Sequence, residues 1–379
     1  MQLSERTCVA KPIAAAVLCV LSMVGAAKAD TQNIVCVGDS VELNAALYAA
    51  VDVAKADGIG TEIRIKIGNY SVHNPPLPFA TFGIPPYRDL SLRGGYDSNP
   101  ADNCTTSKRV VNPTNTTVEL NPYFPNGYMA DSIDFRSNGD LVIEGLTLQG
   151  SSELSFIADH SSGKTVSANR NIFKMHSIDF QSSLSVHTRL ELINNKSAGV
   201  RPPMLLRDGG SDTVAFIANN TFVNAPYYPG IALAGLTKAD FYNNIIWGNA
   251  LGGIYDMSDS WWEGDTEGVP PVQINLVNNI LQPDNNIVTK MVDQDTLYSD
   301  PQFVGVEDFH LQPTSPGLNT GFPQGAFELP ATDLDGNPRI VGPFIDRGAY
   351  ESPVSSGAPV QKATSKPLPK RYQATRVVE

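Results

Sequence analysis

Charge is scarce in this chain. Only 17% of its 379 residues are Asp, Glu, Lys or Arg, and Asn alone, at 28, outnumbers the 27 Lys and Arg together. Helical bundles and coiled coils live on Glu, Lys and Arg, so the shortage excludes them. A charged disordered chain is excluded as well, because 41% of the residues are hydrophobic, enough to build a core. Histidine and cysteine are also few. The five His stand singly among four Cys, and no Cys/His set has the spacing of a zinc site. Beyond residue 29 no run is apolar enough to span a membrane.

What is present in place of charge is Asn, with 31 Gly and 28 Pro. Asn and Gly form turns more readily than helices, which points to many short strands joined by tight turns. Residues 1–29 have the form of a secretory signal: Arg6 and Lys11 ahead of the apolar run Ile13 to Ala27, then Ala27-Lys28-Ala29 as an A-x-A cleavage site. The run falls short of the roughly 20 residues a membrane span needs. An exported protein, secreted, periplasmic or at the cell surface, is therefore expected. Cleavage removes two Cys and leaves Cys36 and Cys104, an even pair that predicts a disulfide in an oxidising compartment. Closing that loop would stabilise the fold by about 4 kcal/mol in the chain-entropy view.

The mature chain carries −14, its tail 353–379 carries +4, and the body 30–352 therefore carries −18. Such a body repels nucleic acid. It would also repel a polyanionic polysaccharide unless Ca²⁺ bridged the two.

The strongest pattern is internal. Five segments, SANRNIFKM, LELINNKSA, FIANNTFVN, FYNNIIWGN and LVNNILQPD, align on Asn171, Asn195, Asn220, Asn244 and Asn279, with spacings of 24, 25, 24 and 35. Gly145 in LVIEGLTLQG sits about one period upstream. A fixed period in this range signals a solenoid. The flanks are rich in Ile, Val, Leu and Phe and too short for helix pairs, so an all-β, right-handed parallel β-helix is expected. From about residue 60 to 350 it would have roughly a dozen turns ~4.8 Å apart, a rod of about 55–60 Å. Asparagines in one phase would stack as a ladder, each side chain donating to one neighbour and accepting from the next.

The ends of such a rod need covering. Asp39-Ser40-Val41-Glu42 is a capping signal before an amphipathic stretch with Leu43, Ala46, Leu47, Ala50 and Ala54 on one face, which predicts an N-terminal cap over 30–60 containing one helix. Ile63, Ile65 and Ile67 alternate with Glu62, Arg64 and Lys66 and predict a strand. Residues 74–86 are a Pro-rich loop, and the tail 353–379 has the composition of a disordered segment.

Toward the C-terminus stand Asp300-Pro301-Gln302-Phe303, Phe309-His310-Leu311, Ser315-Pro316, Asp333-Leu334-Asp335-Gly336-Asn337-Pro338-Arg339 and Asp346-Arg347-Gly348-Ala349-Tyr350-Glu351. This series resembles the end of bacterial exported β-helix proteins of the choice-of-anchor Q type, a broad pectate-lyase-like group. The resemblance covers about fifty residues and implies that 300–352 closes the rod as a C-terminal capping region. Asp333, Asp335 and Asn337 around a Gly turn could supply oxygen ligands to Ca²⁺. The same residues could equally form a capping turn, with Arg339 paired to a carboxylate such as Asp346. His310, flanked by apolar residues, would point out of a strand, where it is a further catalytic candidate.

The jump to 35 between Asn244 and Asn279 marks an insertion of about eleven residues around 255–271. It contains Asp256, Asp259, Glu263, Trp261 and Trp262, and one repeat earlier come Tyr227 and Tyr228. Aromatic rings stack on sugar rings and carboxylates accept sugar hydroxyls, so these residues form a candidate polysaccharide-binding surface. Arg207 and Asp208, with Asp256 near the same phase two turns on, form a candidate catalytic set: a pair of carboxylates about 10 Å apart for a hydrolase, or an arginine base for a Ca²⁺-assisted lyase. A single-chain exported protein that binds polysaccharide without strong catalysis is the first expectation. A lyase or hydrolase, and a structural or adhesive rod, are the alternatives.

Overall fold

The computed structural model describes residues 33–50, 59–73, 81–83, 88–121, 132–150, 153–159, 163–175, 177–183, 188–193, 195–198, 204–208, 212–257, 271–283, 285, 287, 289–322 and 329–353. The fold is mostly β, with one α-helix among the described residues. Three parallel sheets are visited in rotation. Sheet A has ten strands, from Asn33–Val37 to Thr289–Gln294. Sheet B has eight, from Gly68–His73 to Ile280–Leu281, and sheet C has seven, from Thr81–Gly83 to Ile254–Asp256. Each strand pairs with its equivalent one repeat away, so side chains of the same phase stack in columns.

Those columns are the core. In sheet A, Leu141, Val166, Leu190, Ala215, Ala239 and Ile274 share one register position and all are buried. In sheet C, Phe135 stacks on Phe156 and Phe156 on Phe180, at centroid distances of 5.6 and 5.1 Å. Like residues pack well above one another because parallel strands repeat at a fixed spacing.

The corner between sheets A and B is a two-residue turn, which is why the sequence shows it so clearly. Its first residue has positive φ at Gly145, Arg170, Asn219, Asn243 and Asn278, a conformation that favours Gly and Asn. Its second residue is Leu146 in the first of these turns and the buried ladder asparagine in the others. Asn171 Nδ2 donates to Asn195 Oδ1 (3.1 Å), Asn195 to Asn220 (3.1 Å), Asn220 to Asn244 (3.0 Å) and Asn244 to Asn279 (2.9 Å). The remaining amide hydrogen of each goes to a carbonyl of the preceding repeat, such as Leu192 for Asn220. The longer spacing before Asn279 leaves this ladder unbroken, so the inserted residues lie elsewhere in the repeat.

The predicted helix forms over Ser40–Ala50 and buries Leu43, Ala46, Leu47 and Ala50. Asp39 Oδ1 accepts from Glu42 N (2.8 Å) and Glu42 Oε2 accepts from Gly38 N (2.6 Å), a reciprocal capping box. Ala54 lies outside the described residues. The strand Thr61–Lys66 buries Ile63 and Ile65. Cys36 on the first strand of sheet A is bonded to Cys104, tying that strand to the long connection between Tyr96 and Thr116.

Two expectations change. Among the described residues sheet A holds ten strands, so the described stack spans about 43 Å between its outer strands rather than 55–60 Å. The reason is that the described residues from Asp300 onward add no further layers. They fold back along the outer face of sheet B, where Ile172, Val223, Ile245 and Ile280 would otherwise meet water. Phe309, Leu334, Ala349 and Tyr350 cover the first two, and Leu311 and Leu318 cover the others. The described residues 300–322 and 329–352 therefore form a lateral strap rather than an end cap. The Arg347 guanidinium fastens it by donating to the Asn279, Asp295 and Thr320 carbonyls.

Candidate functional site

The turn carrying Tyr227 and Tyr228 joins Thr221–Val223 of sheet B to Ile231–Ala234 of sheet C. Pro226 and Pro229 bracket the tyrosine pair, and proline lacks the N–H that a central strand requires, so both sheets stop here. Tyr227 is 58% exposed and Tyr228 half-buried. The next repeat supports this turn from below. Ala250 N donates to Ala225 O (2.9 Å), Leu251 N to Tyr228 O (3.3 Å) and Gly230 N to Gly252 O (3.0 Å). Leu251 extends the apolar surface and is 52% exposed. Gly230 is required by close approach, since a Cβ there would lie 2.3 Å from Ile246 and 2.6 Å from the Asn249 side chain.

Asn249 belongs to a second, shorter ladder that the sequence pattern did not reveal. Its Oδ1 accepts from Ala225 N, its N donates to Gln282 Oε1, and its Nδ2 donates to Phe222 O. The signal was there in part: Asn249 and Gln282 are 33 residues apart, close to the 35 of Asn244 and Asn279.

From this turn the chain enters Ile254–Asp256, the last strand of sheet C, and then the insertion. Asp256 occupies the register column of Phe156, Phe180, Leu206 and Leu233. It is fully buried, and its Oδ2 accepts from Val272 N (3.1 Å). The carboxylate therefore pins the returning end of the insertion to its starting end, and it is shut from solvent where a catalytic acid would need access. Asp259, Trp261, Trp262 and Glu263 lie outside the described residues.

Arg207 and Asp208 are on the strand Met204–Asp208. Arg207 is in register with Gln181 and Ala234, and Asp208 with Ser182. Asp256 is in register with Leu206 through Leu233, two positions from Asp208. The expected same-phase carboxylate pair is thus not formed. The mismatch arises because the B–C connection differs between the two repeats: the shared column is reached 11 residues after Asn195, at Leu206, but 12 after Asn244, at Asp256.

The calcium-loop reading of Asp333, Asp335 and Asn337 is replaced by a capping turn. Asp333 is fully buried. Its Oδ1 accepts from Asp335 N (3.0 Å) and Asn337 N (2.8 Å), and its Oδ2 from Glu351 N (2.9 Å). Both oxygens thus serve the backbone. Arg339 takes Glu351 as its carboxylate partner (3.4 Å) and meets Asp346 through that residue's carbonyl. Among the described residues no group of three or more His, Cys, Asp or Glu is placed to hold a metal. His310 does point outward, but into a contact: Nδ1 meets Asp308 Oδ1 (2.5 Å), Nε2 meets Asp335 Oδ2 (2.7 Å), and the ring lies 4.3 Å from that of Tyr350. The Asp335 hydrogen bond, joined by Asp308, outweighs partial burial and raises His310 to about 9.

The described site thus consists of an exposed tyrosine turn, an apolar shelf at Leu251 and the Asp256–Val272 contact at the base of the insertion. Such a surface can stack on an apolar ring face while neighbouring backbone groups meet hydroxyls. Among the described residues it offers no paired acid and base. No helix among the described residues is long and apolar enough to cross a membrane. In comparisons with protein-family models, curated proteins and solved structures, the chain finds no match in any of the three.

Proposed function

We propose that this chain is an exported right-handed parallel β-helix that binds extracellular or envelope polysaccharide without strong catalysis. Right-handedness follows from the crossover rule for parallel strands, and the rotation through three parallel sheets supports closure into a solenoid. The disulfide is compatible with export. The C-terminal resemblance to choice-of-anchor Q proteins adds to the reading.

One observation carries the binding role. Tyr227 is 58% exposed on a turn braced by the segment that leads into the Trp261-Trp262 insertion. An aromatic ring held open on a scaffold presents a face on which a sugar ring can stack. The buried position of Asp256 removes the carboxylate pair on which hydrolysis would rest.

The test is affinity electrophoresis of the mature protein through gels holding neutral or uronate-containing polysaccharides, with and without Ca²⁺. Retardation by at least one polysaccharide is expected, weakened about tenfold or more by Tyr227→Ala and by Trp261→Ala/Trp262→Ala. Retardation unchanged in both variants, or absent on every polymer, overturns the proposal. Unsaturated products accumulating from the uronate polymers would establish the lyase alternative.

A further inference from the structure

An acidic chain concentrates four arginines at one corner. Arg64 and Arg93 lie directly opposite each other on neighbouring strands of sheet A, and the next residue in that column is Glu144. Like charges in register are unfavourable. Two more arginines converge from outside the column. Arg109 reaches in from the long connection, with Nε on Gly94 O (2.8 Å) and Nη1 on Glu144 Oε2 (2.9 Å). Arg170, at the positive-φ turn position, donates Nη2 to Glu144 Oε1 and Nη1 to Thr332 Oγ1 of the strap. Arg64 and Arg109 both lie over the Tyr96 ring, at 5.5 and 5.1 Å.

The anions of this cluster are too few. Glu144 serves Arg93, Arg109 and Arg170, while Glu62 serves Arg64 at 2.7 Å and Arg93 at 3.8 Å. Burial pushes Glu144 up, but Arg109, Arg170 and Arg93 together outweigh it and hold the carboxyl at about 2. Four guanidiniums against two carboxylates leave a surplus of two positive charges, in a protein whose net charge is −12. Donors are in surplus too. Arg93 Nε, Arg109 Nη2 and Arg170 Nε are buried without a hydrogen-bond partner. Leaving such groups unmatched lowers stability, so their retention calls for a further acceptor. Arg93 is the most open of the four, with 29% of its side chain exposed.

The geometry points to a binding site for a doubly charged tetrahedral oxyanion, of the phosphate-monoester class, at Arg64, Arg93, Arg109 and Arg170. A dianion neutralises the surplus, where a uronate carboxylate would leave half of it. Planar guanidinium forks match tetrahedral oxyanions through paired hydrogen bonds. The site is on a different face from Tyr227 and stands independently of the polysaccharide proposal. Its natural ligand could come from free phosphate or from a phosphorylated sugar, and the two share this chemistry.

Isothermal titration calorimetry at constant ionic strength tests it, with inorganic phosphate, glucose 6-phosphate and inorganic sulfate as probes. Saturable binding of phosphate is expected at pH 7.5. Binding of the monoester glucose 6-phosphate should weaken several-fold at pH 5.5 as its dianion takes up a proton (second pKa about 6), and that of inorganic phosphate, which takes up its proton at higher pH, more steeply. Sulfate, a dianion at both pH values, should show no such loss. Tighter binding of glucose 6-phosphate than of phosphate would identify an ester ligand, and its failure beside binding of phosphate would identify the free ion. Arg93→Gln should lower affinity at least tenfold and Arg93→Lys less, with circular dichroism matching the parent. No saturable binding of phosphate or sulfate at millimolar concentration, or equal affinity in parent and Arg93→Gln, overturns the assignment.

Discussion

His310 Nε2 and Asp335 Oδ2 are 2.7 Å apart, joining the segment around Phe309 to the capping turn of Asp333–Asn337. Asp308 holds the other ring nitrogen, so the imidazolium clasps two carboxylates. Because the pair raises His310 to about 9 from its ordinary 6.5, the stability it contributes is complete below pH 6.5 and is lost as pH climbs through 9. The side chain is 38% exposed, which screens the pair to about 1 kcal/mol. The expected outcome is that the parent loses more thermal stability between pH 6 and 9.5 than His310→Gln. Parallel melting curves over that range would show that the clasp is energetically silent.

Asp256 separates catalysis from architecture. Its Oδ2 accepts from Val272 N across the base of the insertion. Asp256→Asn keeps an oxygen in place and should melt within a few degrees of the parent. Asp256→Ala leaves the Val272 N–H without that acceptor and opens a small void, which should cost about 2 kcal/mol. If any hydrolytic or lyase activity is found and Asp256→Asn abolishes it while folding normally, the clamp reading fails.

The ladder position Asn220 should tolerate neither loss of donors nor added charge. It donates to Leu192 O and Asn244 Oδ1 and accepts from both Asn195 N and Asn195 Nδ2. Asn220→Asp keeps the acceptors, takes the side-chain donor from Leu192 O and leaves Asn244 Oδ1 only the Asn220 N–H, and buries a carboxylate. A loss of 3 kcal/mol or more is expected, with partial recovery at acid pH as the new group protonates. Equal urea midpoints for Asn220→Asp and parent would contradict the ladder as a stabilising element.

These cases show what the sequence could and could not convey. The A–B corner was legible because its turn has fixed length and demands a left-handed residue followed by a buried amide, so Asn219-Asn220 and Asn243-Asn244 recur in phase. The capping box at Asp39 and Glu42 was legible for a similar reason, being local. The corners to sheet C vary in length, so counting from Asn195 and Asn244 misplaced Asp208 relative to Asp256. Contacts made by the strap were beyond reach altogether. Arg170 meets Thr332 and Asn112 meets the Asp335 carbonyl across 162 and 223 residues, and no spacing announces such pairs.

Arg339 provides the sharpest test of how the strap is held. It is 2% exposed, donates to the Asp346 and Gly348 carbonyls, and faces the buried carboxylates of Glu351, Asp333 and Asp346. Burial raises all three acids, Glu351 to about 7, and Arg339 opposes that rise in each. Groups raised in the folded state favour folding in their protonated form. For Glu351 this stability is full below its ordinary pKa of 4.5 and is lost as pH rises through about 7. Arg339→Met removes the opposing cation, so the carboxylates shift further up and the loss deepens at neutral pH. A deficit of about 3–5 kcal/mol is expected at pH 7.5, shrinking markedly at pH 5, and adding Glu351→Gln should recover part of it at pH 7.5. A deficit of the same size at both pH values would mean that Arg339 acts through its two carbonyl hydrogen bonds and packing, and that the carboxylates do not depend on its charge.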